Sequence, residues 1–168
     1  AGQDKYANVL TEKITMSAAN TLTFQEVNIG LSLFDKAGIL ISRIEYQPTG
    51  GTIADLETTG DLIGMAVATS DNIANLGVDQ AAVVTYKSLI RLDLGTAAAG
   101  WIFELPLVQD FSQLPGGGIL ITPKPWYIAM ESGGLAAAGI CTVRFFFTVV
   151  KLTAEMYFEL LETRHYFG

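Results

Sequence analysis

From residue 14 to residue 152 the chain keeps one rhythm. Short β-prone runs alternate with clusters of turn formers about every 8–12 residues, and helical spacing occurs only in the tail. Many short strands with no helices between them can bury their apolar faces only against each other. That leaves a two-sheet sandwich or a barrel.

The runs differ in what they disclose. Residues 14–16 form a brief β-prone segment. Residues 21–34 form a longer one, with Leu22 and Phe24 in one phase and Val27, Ile29, Leu31 and Leu33 in the other. A one-residue slip turns every side chain to the opposite face, so a β-bulge is expected at Gln25-Glu26. The turn Asp35-Lys36-Ala37-Gly38 joins this run to residues 39–46, which predicts a hairpin. Residues 48–52 break the pattern, and the polar stretch 53–61 reads as loop.

Residues 62–69 form a short strand with Ile63, Met65 and Val67 on one face, and residues 70–80 a loop. Residues 81–94 alternate most cleanly. Val84, Tyr86, Ile90, Leu92 and Leu94 mark the inward face, and Thr85, Lys87, Arg91 and Asp93 the outward one. Residues 101–107 form a further strand, where Pro106 points to an edge or a bulge. After the break at residues 114–118, residues 119–130 read as an edge or bent strand, because Pro123 and Pro125 remove two ladder donors.

Residues 140–152 are apolar in both phases: Cys141, Val143, Phe145, Phe147 and Val149 in one, Phe146 and Val150 in the other. A strand apolar on both faces belongs at the centre of a sheet. Thr153 can cap a helix over residues 154–162, with Glu155 in its first turn. Met156, Tyr157, Leu160 and Leu161 then form one apolar stripe, which either docks on its own sandwich or reaches a neighbouring subunit.

About eight strands and one short C-terminal helix make a single all-β domain spanning residues 1–168. Residues 1–13 read as an N-terminal arm and residues 153–168 as a helical tail. The first ten residues have neither a basic segment nor an apolar one, so no secretory leader is expected there.

Composition narrows the function. Hydrophobic residues make up 50% of the chain, charged residues only 16%, and the mean hydropathy is +0.37. A solitary soluble domain carries about a quarter charged residues. No apolar run reaches the ~20 residues of a spanning helix, so large protein–protein interfaces are the remaining explanation. The net charge of −7 and the scattering of the ten basic residues argue against direct nucleic-acid binding.

Little in the chain carries chemistry. The one histidine, His165, lies in the tail, and no Gly-x-Ser-x-Gly elbow is present. The one cysteine, Cys141, reads as a small buried hydrophobe. A histidine or cysteine metal cluster is excluded by counting, and no cofactor is expected. Asp55, Glu57, Asp61, Asp71 and Asp79 fall in loops without EF-hand spacing. Gly116-Gly117-Gly118 precedes a strand rather than a helix, so it reads as a corner, not a phosphate loop. Glu26, Glu45 and Glu104 lie in strand-like runs and are weak candidates for a carboxylate pair. Trp101, Trp126 and Tyr127 stand near glycine- or proline-rich connectors. With Met156, Tyr157, Leu160 and Leu161 they make up the candidate interface.

The short arm, the run 21–46, the Gly- and Ala-rich loops, the apolar strand Val143-Arg144-Phe145-Phe146-Phe147-Thr148-Val149-Val150 and the closing helix together resemble one family. It is that of the small single jelly-roll major capsid proteins of icosahedral viruses with an internal membrane. The resemblance is architectural and covers nearly the whole chain. It implies an eight-stranded antiparallel jelly roll, with four strands in each sheet, standing upright in a virion shell. It further implies synthesis in the host cytoplasm, no catalytic residues, and partners that are copies of the chain, sometimes with a second capsid protein, above an internal membrane. The rivals are a carbohydrate- or receptor-binding sandwich of a fibre, pilus or surface layer, and a jelly-roll enzyme of the cupin sort. The cupin reading lacks the histidine cluster it would need.

Overall fold

A computed structural model describes residues 6–31, 35–77, 79–93 and 106–167, with side chains as far as Glu162. Two antiparallel sheets face each other across one apolar core. The strands are β1 (Asn8–Thr15), β2 (Thr23–Val27), β3 (Ala37–Pro48), β4 (Leu62–Ala68), β5 (Val83–Ile90), β6 (Leu107–Asp110), β7 (Ile119–Ile121), β8 (Trp126–Gly133) and β9 (Ile140–Lys151). The first sheet runs β1-β9-β3-β6, with β7 also on β3, and the second runs β2-β8-β4-β5. Among the described residues there are two helices, α1 (Gly50–Ala54) and α2 (Ala154–Phe167).

The strand β9 lies at the centre of the first sheet, between β1 and β3, as its two apolar faces require. Cys141, Val143 and Phe145 turn inward and are at most 1% exposed. Phe145 meets Trp126 of the opposite sheet edge-on, with ring centroids 5.0 Å apart. Ile39, Ile41, Ile44 and Tyr46 of β3 complete the contact and are fully buried. Each such side chain contributes about 1.5–3 kcal/mol by leaving water.

Several expectations are corrected. The run 21–34 does not pair with residues 39–46: β2 and β3 lie in different sheets. The chain turns away after Val27, where the Asn28 side chain accepts a 2.8 Å hydrogen bond from the Gly30 N–H and Gly30 takes a positive φ of 76°. No bulge occurs at Gln25-Glu26, and β2 pairs in unbroken register with β8. The phase slip has another cause. Val27 faces the central core, whereas Leu22 and Phe24 face outward onto a small second cluster of Ala66, Leu76 and Ala129.

The bulges fall elsewhere. In β3 the register steps from Ile41↔Phe147 to Arg43↔Phe146. The extra residue, Ser42, donates its hydroxyl to the Phe146 carbonyl at 3.1 Å. In β5 the step from Val67↔Thr85 to Ala68↔Val83 isolates Val84, which still packs on the core.

Val84 faces the core as expected, but from Thr85 onward the faces of β5 are the reverse of those expected, and Leu94 lies outside the described residues. Thr85 and Leu89 are buried, Tyr86 lies on the outward cluster, and Ile90 is exposed. Leu89 joins the core, and half-buried Lys87 lies opposite Met65 in the same phase. A lysine can occupy such an edge position by covering apolar surface with its stem. The run 119–130 is two strands rather than one: β7 ends in the first sheet, Pro123 and Pro125 carry the crossing, and β8 is central in the second. Residues 8–13, expected as an arm, belong to β1, where Leu10 and Ile14 alternate inward. The polar loop after residue 49 contains α1, capped by the Thr49 hydroxyl on the Thr52 N–H at 3.3 Å. The tail helix runs to Phe167 rather than ending at residue 162.

One polar pin joins the ends of β1 and β8. Asn20 takes a left-handed φ of 58° and clasps the connector after β8. Its Nδ2 donates to the Leu135 carbonyl, and its Oδ1 accepts from the Leu135 N–H, each at 2.9 Å. Replacing Asn20 with Ala removes both bonds and puts a Cβ residue without polar compensation at positive φ. A loss of about 2 kcal/mol is expected, read as a lower denaturation midpoint at unchanged slope.

Candidate assembly surfaces

The structure divides the candidate interface set among three places. Trp101 lies outside the described residues. Trp126 is 2% exposed inside the core against Phe145, so it is withdrawn from the interface. Tyr127 is half-buried on the outward face of the second sheet, edge-on to Phe24 at 6.2 Å. In α2, Tyr157 is buried and Leu160 and Leu161 are half-buried, whereas Met156 is 52% exposed. The expected single stripe is therefore divided between a covered centre and an open flank.

The stripe reading overlooked Phe158, which is 59% exposed. At about 100° per residue, Phe158 stands roughly 60° beyond Leu161, on the flank opposite Met156. The apolar arc spans about 200° of the helix, from Met156 through Leu160, Tyr157 and Leu161 to Phe158. Glu155, Glu159 and Glu162 occupy the rest.

The outward faces of the two sheets differ in their cover. Above the second sheet, residues 70–77 cross the face as a strap, with Leu76 and Ile73 over Ala66 and Ala129. Glu131 fastens the strap. It accepts from the Tyr86 hydroxyl at 3.2 Å and from the Leu76 N–H at 3.4 Å. Desolvation, then the Glu131 charge, raises the Tyr86 hydroxyl pKa. A Cβ on Gly64 would stand 2.9 Å from both Glu131 and the Tyr86 oxygen, so a side chain there would displace this hydrogen-bonded pair.

Among the described residues no such strap crosses the β1·β9·β3 portion of the first sheet's outward face. Phe146 lies half-buried beneath the Arg43 guanidinium, 5.7 Å from its ring centre. Glu45 bridges Arg43 at 3.0 Å and Arg144 at 3.8 Å. The Arg144 side chain remains 51% exposed. Beside Phe146, its register partner Val9 is 56% exposed. Val9 and Phe146 are thus a small apolar spot in a face that otherwise carries Thr11, Lys13, Arg43, Glu45, Gln47, Thr142 and Arg144. Nothing in the sequence reading singled out Val9, because β1 was read as an arm.

The polar candidates are occupied by structural tasks or lie apart. Glu26 and Glu45 are on the outward faces of different sheets, and Glu104 lies outside the described residues. Asp55 accepts from the Ala137 N–H at 2.9 Å, which ties α1 to the connector before β9. The two line a groove of about 450 Å³ with Thr49, Gly51 and Ala138. Among the described residues no group of three or more His, Cys, Asp or Glu side chains is placed to hold a metal. Gly116 and Gly117 take positive φ of 85° and 81° at the corner before β7. Cys141 is fully buried, 3.4 Å from the Met65 sulfur, and burial pushes its thiol up to about 12.

Asp61 closes the turn before β4. Its Oδ2 accepts from the Thr58 N–H at 2.8 Å and the Glu57 N–H at 2.9 Å, and its Oδ1 from the Thr58 hydroxyl. The Thr58 N–H is the largest influence on this carboxyl, and together with the other donors and Arg91 it outweighs desolvation and lowers the pKa. A lowered folded-state pKa stabilises above the unfolded value of about 3.9 and is lost as pH falls below it. Thermal midpoints of the protein and of Asp61→Asn should therefore differ at pH 7 and converge as the pH approaches about 2.

No helix among the described residues is long and apolar enough to cross a membrane. Comparison of the chain with protein-family models finds no match, and comparison with curated proteins finds none.

Proposed function

We propose that the sandwich is a single jelly roll and that the chain is a structural subunit that assembles laterally into a viral capsid shell. The nested strand pairing carries the fold half of this reading. β6 and β7 pair in succession along β3, at Arg43–Tyr46 and Ile39–Ile41, so they count as one interrupted strand. The pairs are then β1 with β9, β2 with β8, β3 with β6/β7, and β4 with β5. Such nesting is one long hairpin of eight strands rolled into two four-stranded sheets, the jelly-roll plan.

The function half rests on surface chemistry. A chain with 16% charged residues leaves Val9, next to a half-buried Phe146, and separately Met156 and Phe158 of α2 exposed. Exposed apolar side chains on a chain this poor in charge are suited to covering by a partner. The partners on this reading are copies of the chain, with or without a second capsid protein, in a virion shell over an internal membrane. The carbohydrate-binding alternative loses support because Trp126 is core rather than platform.

Sedimentation velocity and electron microscopy of the purified protein test the reading. Rings, capsomers or shells are expected. A monomer that binds glycans would overturn it.

A further inference from the structure

We propose that the strap at residues 70–77 is a lid: it lifts from the second sheet as one unit, with Glu131 as its latch, while both sheets stay folded. Its opening needs no second copy and holds whether or not the chain assembles.

The strap covers a trough that the sheet has already formed. Gly64 and Ala66 of β4 face outward, and Ala129 of β8 stands beside Ala66. No side chain on this floor is larger than a methyl group. The larger side chains Phe24 of β2 and Tyr86 of β5 stand to either side. A floor this small leaves a slot that an inserted side chain must fill. Leu76, 7% exposed, and half-buried Ile73 fill it from above.

The attachment of the strap is light. Among the described residues, the Leu76 N–H to Glu131 Oε2 at 3.4 Å is the one hydrogen bond from residues 70–77 to the sheet. Asp71, Asn72, Ala74 and Asn75 are exposed. Glu131 holds two partners at once, because its Oε1 accepts from the Tyr86 hydroxyl at 3.2 Å. The base of the strap is closed independently of it. The Thr69 N–H donates to the Ala82 carbonyl at 2.8 Å, and the Thr69 hydroxyl to the same oxygen at 3.4 Å. Below this clasp β4 and β5 pair from Ala68↔Val83 to Leu62↔Ile90. Lifting residues 70–77 therefore breaks no strand pairing. Segments with few buried side chains and few backbone bonds to their surroundings open below the free energy of global unfolding, and lids are drawn from them.

Hydrogen exchange of the unmodified protein, read residue by residue, tests the lid. The Leu76 amide should exchange at least about 100-fold faster than the ladder amides of β4, as local opening requires. Its rate should also be insensitive to low urea, because little surface is exposed when only the strap lifts. Leu76 exchanging at the ladder rate with the ladder's urea dependence would overturn the proposal. Thiol labelling gives an independent measure. Ala129→Cys places a thiol beneath the strap, and the native Cys141, fully buried in the main core, reports global unfolding in the same molecule. The thiol at position 129 should react while Cys141 stays protected, and adding Glu131→Ala should speed only the former, several-fold, by removing the latch. Two thiols that react together, or a labelling rate that Glu131→Ala leaves unchanged, would contradict it.

Discussion

Phe145→Asp should yield no folded protein. The ring is fully buried at the centre of the central strand β9, between Leu10 of β1 and Ile44 of β3, and it packs edge-on against Trp126 across the core. Removing the ring alone costs about 3–5 kcal/mol by leaving a cavity. An unpaired carboxylate in the same place adds several kcal/mol of desolvation. Domains of this kind have roughly 5–15 kcal/mol in total, so the sum reaches the whole stability. Loss of the far-ultraviolet β signal and recovery only from inclusion bodies are the expected readouts. Phe145→Leu keeps an apolar side chain and should fold with a deficit of about 1–2 kcal/mol. A soluble, cooperatively melting aspartate variant would show that this strand is not central.

The second large effect should fall on assembly and spare the fold. Met156→Glu combined with Phe158→Glu alters two side chains that are already more than half exposed in the single chain. Exposed substitutions usually change stability by no more than about 0.5 kcal/mol, so the thermal midpoint should scarcely move. Burial of those two side chains against a neighbour would contribute about 3 kcal/mol, and their loss together with two added charges should weaken association roughly 100-fold or more. Light scattering at fixed concentration reads the difference directly. A variant that assembles as well as the parent would place the contact elsewhere on the surface.

The layout of the fold was legible wherever one strand carried its own evidence. Apolar residues in both phases marked β9 as central, and Ile63, Met65 and Val67 marked the inward face of β4. Errors arose where a second apolar surface imitated the first. Phe24 and Tyr86 are apolar or aromatic because they meet the strap over the second sheet, not the main core. That outward cluster inverted the reading of β5 and suggested a bulge in β2. The bulge at Ser42 was present in the spacing Ile39, Ile41, Ile44, Tyr46, which changes parity once. The false hairpin came from reading across Asn28-Ile29-Gly30, whose turn chemistry ends β2.

The candidate surfaces were less legible than the core. Spacing identified the tail helix and its buried centre, but a stripe drawn at i, i+1, i+4 and i+5 leaves out a flank such as Phe158. Trp126 shows the opposite limit. Proximity to Pro123 and Pro125 suggested a rim position, whereas those prolines carry the crossing between sheets and deliver the indole into the core. Pairing partners decide exposure in a sandwich, and they come from distant parts of the chain.

Everything functional in this account requires that the half-exposed apolar flanks be covered by other copies. The most direct test is the mass in solution across a range of micromolar concentrations. Species many times the 18.0 kDa of one chain, growing with concentration, are expected. A single 18.0 kDa species that persists to high concentration, alone and with its flanks bare, would contradict it.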